Sequence, residues 1–304
     1  MSDATSRIPF QTIPGVARQY NRYQVDEDTD RSSFHYERDP EVFYILTGGQ
    51  WNSYACSLWE DGFDMTQAQE KKFRLLARLM DLKPGQKLLD IGFGWGGPLV
   101  YYCQQYGVIG HGIAVSQTQV DEARKKAAQH HVPATFELAH WQRLSEDEQY
   151  DCIYTDEVIT HFTDLHAFFA KCRRLLKPGG IMLHKELHLS QSRYSEVGPA
   201  AAQVFKVYAY TGNYRPLHYE LKALDDNNFE LLHVEEVPML NYLRTADEWN
   251  KNFFDNRERL KAIGGEEFYK NFRSYLKSVR YLFGHTNIMQ LHIVLSRKMD
   301  EKSP

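Results

Sequence analysis

The segment "LLDIGFGWGGPLVYYC", residues 88–103, holds residues whose types and spacing could bind a cofactor. An apolar run ends at Asp90, and glycines then follow at Gly92, Gly94 and Gly96 before the chain becomes apolar again. Glycine lets the backbone approach a ligand closely. A helix that begins at this point directs free N–H groups and its positive dipole end toward the ligand. The pattern alone leaves open a nicotinamide dinucleotide, another nucleotide, or a tight turn without a ligand.

Segments that read as strands and helices alternate around this loop from residue 86 to residue 189. The predicted strands are "KLLDIGFG", which enters the glycine-rich turn, "VIGHGIAVS", "ATFELAHWQ", "YDCIYTDEVITHF" and "IMLHKELHL". Such alternation is typical of a parallel sheet with crossover helices. Two later strands, "FELLHVEEVPM" and "IMQLHIVLSRK", bring the predicted number to seven. The sequence therefore predicts an α/β fold with a mostly parallel seven-stranded sheet and helices on both faces.

Two flanking segments depart from this alternation. Residues 1–65 show little periodicity and many aromatic residues, so we predict short helices and loops that form an N-terminal lid. Residues 66–304 then form the core, and a Tyr-rich stretch at about 190–222 is predicted as a helical cover over the substrate. No internal repeat is visible.

Composition narrows the class of protein. The chain has 304 residues, of which 42% are hydrophobic and 25% charged, and no apolar run is long enough to span a bilayer. The polar N-terminus and the four cysteines without a metal-type spacing favour a reduced, cytoplasmic protein without an integral membrane segment. A net charge of −4 disfavours a nucleic-acid partner. Oligomeric state stays open, and a homodimer is one option.

Three motifs together resemble the class I S-adenosylmethionine (SAM)-dependent methyltransferases: "LKPGQKLLDIGFGWGG", "GHGIAVSQTQ" and "LLKPGG". The resemblance covers about residues 80–190 and implies a Rossmann-like fold with SAM as the cofactor. It also implies that the loop contacts the methionine part, and that the end of the second strand and "AHWQ" contact the ribose and adenine. The matching residues are Asp90, Gly92, Gly94, Gly96, Ala114, Ser116, Gln119, His140 and Trp141. Trp141 could stack on a purine or simply pack in the core.

A second resemblance runs from about residue 35 to the end of the chain. Tyr54 and Cys56 match a Tyr-Ser-Cys-Ala-Tyr patch of the cyclopropane fatty acid synthase family, His184 in "MLHKE" matches a family histidine, and Tyr242 matches a family tyrosine. The resemblance implies transfer of the sulfonium methyl to a carbon–carbon double bond through a carbocation. In the family, a bicarbonate held by a Cys, a Glu, a His and a Tyr is the base.

The acidic residue of that family is absent from its usual place. The family has a Glu directly before His-Phe, whereas this chain has Thr160 in "VITHF", and the nearest carboxylates are Asp156 and Glu157. The segment "TDEVITHFTDLHAFF" is instead similar to the C-methyltransferases of prenyl diphosphates, with Glu157 in the place of their acid. A carboxylate there could stabilise the cation and remove its proton. Alternatively, it could hold the cofactor ammonium or cap the next helix.

The expected catalytic set is Glu157, His184, Tyr242, Cys56 and His161, with Tyr54 beside the cofactor. Each histidine could be a base or a hydrogen-bonded pocket residue, and Cys56 is expected to pack beside the methyl donor without forming a thiolate. No protein metal site is expected, although a diphosphate substrate could bring Mg²⁺. Candidate cations for such a head group are Arg18, Arg22, Arg31, Arg280 and His285.

The preferred function is therefore C-methylation of an alkene carbon in an apolar, prenyl-diphosphate-like substrate, with either a methylated alkene or a ring as the product. The first alternative is a cyclopropane-forming or methyl-branch-forming enzyme of acyl chains. The second is an O- or N-methyltransferase of a small aromatic metabolite. A cofactor-binding protein without chemistry is the non-enzymatic alternative, and turnover of SAM would exclude it.

Overall fold

A seven-stranded sheet forms the centre of the part of the chain that the computed structural model describes. The described residues are 36, 38–147, 149–162, 164–191, 214–285 and 287–299, with the backbone of 8–9 and 196–197. The strands are β1 (Lys87–Ile91), β2 (Ile109–Ala114), β3 (Ala134–Leu138), β4 (Tyr150–Asp156), β5 (Leu176–Leu189), β6 (Phe229–Val237) and β7 (Met289–Lys298). The backbone of residues 8–9 and 196–197 forms a separate antiparallel pair.

The strand order in the sheet is β3-β2-β1-β4-β5-β7-β6. β7 runs antiparallel to both of its neighbours, and the other pairs are parallel. This confirms the predicted mostly parallel, seven-stranded sheet. The strand order reverses direction at β1, where β2 lies on one side and β4 on the other. In open α/β sheets, ligands bind at the carboxyl ends of the strands at such a point.

Eight helices cover the sheet within the described residues. They are α1 (Pro40–Thr47), α2 (Met65–Leu79), α3 (Gly97–Tyr106), α4 (Gln117–His130), α5 (Leu165–Leu175), α6 (Leu217–Asp226), α7 (Leu240–Asp255) and α8 (Arg257–His285), which has a break at Gly265. Short 3₁₀ turns occupy Trp141–Arg143 and Ile159–His161. In the described residues, no helix has the length and apolar character needed to cross a bilayer.

Two hydrophobic cores lie on opposite faces of the sheet. One contains Leu183 and Leu187 of β5 together with side chains of α1–α4, α7 and α8, whereas the other contains Met182 of β5 with α5 and α6. Because successive side chains of a strand point to opposite faces, the odd-numbered residues of this part of β5 face the first core. The even-numbered residues face the second core.

The predicted N-terminal lid shares the first core. Phe43 and Leu46 of α1 are fully buried, and the Phe43 ring lies 5.0 Å from that of Trp95 in the glycine-rich loop. The predicted cover at 190–222 falls mostly outside the described residues. Its last part belongs to α6, which packs against α5 and β6 and thus lies in the layer on the second face. The boundaries of the lid and cover stay predictions.

Candidate active site

The glycine-rich loop follows β1 and adopts a backbone that requires glycine. Gly92, Gly94 and Gly96 have φ angles of +82°, +59° and +78°. A Cβ on Gly92 would lie 2.6 Å from Val158, and one on Gly96 would lie 2.7 Å from Ala123, so these two glycines permit close packing. A Cβ on Gly94 would meet nothing within 4 Å, and Gly94 lines the cavity described below. Gly92 also lines this cavity, but Gly94 is the glycine with open space where a side chain would stand.

Asp90 supplies an unsatisfied acceptor at the same place. The residue is 1% exposed, its Oδ2 has no hydrogen-bond partner among the described residues, and its side chain lines the cavity. Burial raises the pKa of Asp90 well above its usual value, with a further increase from Asp156. A buried polar atom without a partner carries a free-energy cost that a ligand donor can remove. The ammonium group of SAM is such a donor, so Asp90 and the open side of Gly94 fit this cofactor.

Most of the other predicted cofactor residues also reach the cavity. Tyr54, Ala114, Gln119, His140 and Trp141 all line it. Trp141 is nearly buried, and it packs against Phe162 and Phe168 as well as facing the cavity. Its indole is thus both a core side chain and part of the wall.

Two predicted cofactor residues do not line the cavity. Ser116 is fully buried, and its Oγ accepts a hydrogen bond from Gln119 N (3.3 Å) as the N-cap of α4. The hydroxyl is engaged because an N-cap side chain satisfies a free N–H of the first helical turn. Gly96 packs on Ala123 and Phe136, away from the cavity. Ser116 and Gly96 therefore support the wall of the cavity without lining it.

The cavity has an empty volume of about 1250 Å³, counted with its open mouth. Eleven Tyr, Phe and Trp side chains are among the described residues of its wall. The acidic side chains in that described wall are Asp90, Asp156 and Glu157, and the described wall contains neither Lys nor Arg. The described wall of the cavity is therefore mainly aromatic, and its ionisable acidic groups are three carboxyl side chains.

Glu157 projects into this cavity from the end of β4. Its Oε1 accepts a hydrogen bond from Cys56 N (2.8 Å) and a second one from Lys185 Nζ, and its Oε2 accepts one from Tyr242 OH (3.0 Å). The backbone of Glu157 has a φ of +59°, which is unfavourable for a residue with a side chain. Such strain, about 1–3 kcal/mol, persists only where the surroundings impose it, and it is concentrated at functional sites.

Glu157 belongs to a group of four buried charged residues. Lys185 Nζ lies 2.7 Å from Asp156 Oδ1, and Lys72 Nζ lies 2.7 Å from Asp156 Oδ2 and 2.9 Å from Ser53 Oγ. Both lysine side chains are fully buried, and those of Asp156 and Glu157 are 8% exposed. Burial alone would raise the pKa of Asp156, but Lys185 and Lys72 outweigh it and hold the pKa below its usual value.

Cys56 contributes its backbone to the site. Its N–H donates to Glu157, whereas its thiol lies 3.4 Å from the carbonyl oxygen of Ser57. Burial raises the pKa of the thiol to about 12. A thiolate is therefore disfavoured, in line with the expectation of an unreactive side chain.

His184 does not reach the cavity. It lies on the second face of the sheet, where its Nε2 is 2.9 Å from Glu220 Oε2 of α6, and it is fully buried. The prediction that His184 lies beside the substrate is therefore wrong. Side chains alternate along β5, so Lys185 points toward the cavity side of the sheet and His184 points away from it. His161 follows β4 in a 3₁₀ turn and does line the cavity.

The predicted cations for a diphosphate head are not assembled in the described wall. Arg280 forms an exposed ion pair with Asp247. Arg18, Arg22 and Arg31 lie outside the described residues, as does the side chain of His285. Within the described part of the chain, no group of three or more His, Cys, Asp or Glu side chains is arranged to hold a metal ion. Mg²⁺ thus has no support from that part.

Sequence analysis missed Lys72 and Lys185. A lysine within the apolar strand "IMLHKELHL" is a usable signal, because a lysine is almost never fully buried unless it is paired. Lys72 gives no comparable signal, because it lies in an amphipathic helix where lysines are ordinary surface residues.

The fold, the glycine-rich loop and the orphaned Asp90 define the class of protein: this chain is a SAM-dependent methyltransferase of class I architecture. Comparison with known proteins refines the class. Residues 23–293 match the family model described as mycolic acid cyclopropane synthetase. The chain belongs to this family, which confirms the resemblance to cyclopropane synthases seen in the motifs.

Sequence identity to individual relatives is low, but the alignments cover most of both chains. The chain is 27% identical over 271 residues to cyclopropane mycolic acid synthase MmaA2 of Mycobacterium tuberculosis, which covers 84% of this chain and 93% of the relative. It is 24% identical over 277 residues to a protein of Pseudomonas putida named "Probable fatty acid methyltransferase", with 89% and 70% covered. The solved structure of mycolic acid cyclopropane synthase CmaA1 with SAH and CTAB superposes with a TM-score of 0.80 at 23% identity, covering 89% of this chain and 98% of that one.

Proposed function

We propose that this protein is a SAM-dependent C-methyltransferase that adds a methyl group to an alkene carbon of an isoprenoid, and that Glu157 removes a proton from the resulting carbocation. The observation that carries the proposal is the placement of the Glu157 carboxylate. It lines an aromatic cavity, and Cys56 N–H and Tyr242 OH hold it at 2.8 and 3.0 Å. The resemblance assigns that Cys and that Tyr to a bound bicarbonate, so a side-chain carboxylate takes over two of its contacts.

The cofactor places few chemical demands on the protein. When bound, SAM supplies a methyl group that its sulfonium already activates for attack. Asp90, Gly94 and Gln119 would hold it, with Trp141 at the adenine end. The main task of the chain is then to align the alkene with the methyl group, and good alignment in oriented systems is worth about 7–11 kcal/mol.

The aromatic wall stabilises the cation that forms on the substrate. The Tyr242 ring lies 4.8 Å from the Phe283 ring, and the Tyr54 ring lies 5.0 Å from the Trp249 ring. All four line the cavity, and Tyr242 also touches Glu157. An aromatic face contributes about 0.5–2 kcal/mol of attraction for a cation, more where water is excluded.

Glu157 completes the reaction as a general base. The electrons of a C–H bond next to the cationic carbon form a new double bond, and the proton moves to the carboxylate. Oε2 accepts a single hydrogen bond from Tyr242, whereas Oε1 accepts two, so Oε2 is the better placed oxygen. The substrate gains one CH₂ overall, and the cofactor leaves as S-adenosylhomocysteine.

Two observations support an isoprenoid substrate. Thr160 stands where the cyclopropane synthase resemblance expects a Glu, and Glu157 stands where prenyl diphosphate C-methyltransferases have their acid. A trisubstituted isoprenoid alkene also gives a tertiary cation on methylation. Such a cation requires only aromatic faces and one nearby base, and the wall supplies both.

A second candidate substrate is an unsaturated acyl chain. The family model and the printed names of the relatives favour it, and CmaA1 was solved with CTAB, a molecule with a long alkyl chain. In that case the cation closes to a cyclopropane or gives a methyl branch.

The test is transfer of a labelled methyl group from SAM to a panel of acceptors. The panel contains prenyl diphosphates of one, two and three isoprene units, the matching prenyl alcohols, an unsaturated phospholipid, an unsaturated fatty acid and a catechol. Wild type is compared with Glu157→Gln and with the surface control Glu267→Gln, which alters an exposed carboxylate of α8. Products are identified by mass and by the position of the new methyl group.

Label on a carbon of a prenyl acceptor, lost in Glu157→Gln and kept in Glu267→Gln, supports the proposal. Label only in the phospholipid or fatty acid replaces the isoprenoid with the second candidate. Label only on the catechol oxygen contradicts carbon methylation altogether. The prenyl alcohols show whether the diphosphate is required.

A further inference from the structure

Lys185 occupies a position that neither the motifs nor the proposed reaction assigns to any role. Its ammonium group is fully buried and lies between two carboxylates that are consecutive in sequence, Asp156 and Glu157. The carbonyl oxygen of Lys185 also accepts the backbone N–H of Glu157 at 2.7 Å. The same residue therefore fixes Glu157 by its main chain and by its side chain.

Of the two buried lysines near Glu157, only Lys185 contacts its carboxylate. Lys72 neutralises Asp156 from the opposite side, at 2.7 Å, and makes no contact with Glu157. Burial alone would lower the pKa of Lys185, but Asp156 and Glu157 outweigh it and raise the pKa above its usual value. Lys185 is therefore a permanent cation beside the proposed base. The titratable groups that face Glu157 are Lys185, Asp156, Cys56 and Tyr242 in contact, with Tyr36, Lys72 and Glu186 farther away.

Without Lys185, the site would hold two adjacent buried carboxylates and no cation between them. The two carboxylates contact the same ammonium group, so without it the repulsion between them favours the uptake of a proton by one of them. Asp156 keeps Lys72 and the Tyr154 hydroxyl at 3.1 Å, whereas Glu157 would keep only the Cys56 N–H and the Tyr242 hydroxyl. Glu157 is thus the carboxylate that would be protonated.

We propose that Lys185 is a positioning residue that keeps the Glu157 carboxylate ionised and oriented toward the substrate before methyl transfer. This inference rests on the proposed function of Glu157. It adds a specific requirement to that function, since the lysine of β5 determines the lowest pH at which the enzyme turns over.

The experiment compares Lys185→Met with Lys72→Met as a matched control. Both changes remove a fully buried ammonium group that contacts Asp156, but only the first removes a contact to Glu157. The pH dependence of kcat is measured with the panel acceptor that takes up label, and the affinity for S-adenosylhomocysteine is measured by calorimetry. We expect the acidic limb of the pH profile of kcat to move to higher pH by about one to three units in Lys185→Met. In Lys72→Met, the acidic limb of this profile should lie at the same pH as in wild type.

Two further measurements keep the inference testable if Lys185→Met does not fold. Lys185→Gln retains a donor without the charge, and the same upward shift is expected. Infrared difference spectra of wild type against Glu157→Gln report the ionisation of Glu157 without any substrate. We expect an ionised carboxylate at neutral pH in wild type and a protonated one in the Lys185 variants.

The failures are distinguishable. An inactive Glu157→Gln together with an unmoved acidic limb in both Lys185 variants overturns only the role of Lys185. Equal shifts in Lys185→Met and Lys72→Met overturn it as well, because they indicate a general effect of buried charge. A protonated Glu157 in wild type at neutral pH has the same meaning. A fully active Glu157→Gln overturns the proposed function, and the role of Lys185 falls with it.

Discussion

Strand β5 carries buried charged groups on both faces, and the two groups are paired in different ways. On the cavity face, Lys185 contacts Asp156 and Glu157, and both carboxylates line the space where ligands fit. On the other face, His184 and His188 each lie within about 3 Å of Glu220, at 2.9 and 3.1 Å. None of these last three residues lines the cavity.

On the second face, which we call the closed face, the buried titratable groups interact with one another and not with the ligand space. His188 Nδ1 lies 3.1 Å from His292 Nδ1, and burial, with Glu220 next, raises the pKa of Glu186 well above its usual value. Burial alone would raise the pKa of Glu220 as well, but His188 and His184 outweigh it and lower the pKa. The comparison teaches that a buried titratable group is not by itself a sign of chemistry. What distinguishes the cavity face is that its charges contact both the protein and the ligand space.

The largest expected difference between the faces is catalytic. Glu157→Gln should lower the rate of methyl transfer by about 10²–10⁴-fold, the usual contribution of a general base. Glu186→Gln should leave it within about twofold of wild type, because the Glu186 side chain lies on the face of β5 that does not line the cavity. Initial rates at saturating SAM decide the matter. Comparable losses in the two variants would remove the functional distinction between the faces.

The next effect concerns stability on the closed face. Glu220→Ala removes the partner of two buried histidines and should lower the free energy of unfolding by about 3 kcal/mol, as expected for a broken buried ion pair. The rate of methyl transfer by the folded fraction should stay near that of wild type. Urea unfolding followed by circular dichroism measures the first quantity. A stable Glu220→Ala with impaired turnover would instead connect the closed face to catalysis.

The dependence of stability on pH should also come from the closed face. Burial, with His188 next, lowers the pKa of His292 from 6.5 to about 4. The unfolded chain then binds more protons between these values, so the contribution of His292 is complete above about pH 6.5 and is lost as the pH falls toward 4. Urea unfolding at a series of pH values should show this slope in wild type and in Glu157→Gln. The slope should be smaller in His292→Gln, and an unchanged slope there would contradict the assignment.

The smallest expected effect tests which atoms of the cavity face matter. Cys56→Ala keeps the backbone N–H that contacts Glu157, so methyl transfer should change by less than about threefold. Iodoacetamide should not inactivate wild type, because the thiol is buried and its pKa is raised to about 12. A large loss of rate would show that the thiol itself takes part.

Much of the fold and part of the site could be predicted from local patterns. The spacing of glycines after Asp90 and the alternation of strands and helices depend on near neighbours in the chain, and both are present in the structure. Glu157 could be proposed as well, since it stands at the end of a strand beside the motif where the family acid is missing. His184 could not be placed, because β5 is buried on both faces. Period-two alternation separates His184 from Lys185 but does not say which of them faces the cavity.

The motifs were sufficient to indicate the class of protein, because the strand, glycine turn and helix, together with "GHGIAVSQTQ" and "LLKPGG", depend on residue types a few positions apart. Which charged side chains contact one another depends on the tertiary structure. The residues that come together from separated parts of the chain are Lys72 of α2, Asp156 and Glu157 at the end of β4, Lys185 of β5, Tyr242 of α7 and Cys56 of the N-terminal segment. Their pairing depends on the strand order and on the face that each strand turns to its helices, and those are properties of packing rather than of local pattern.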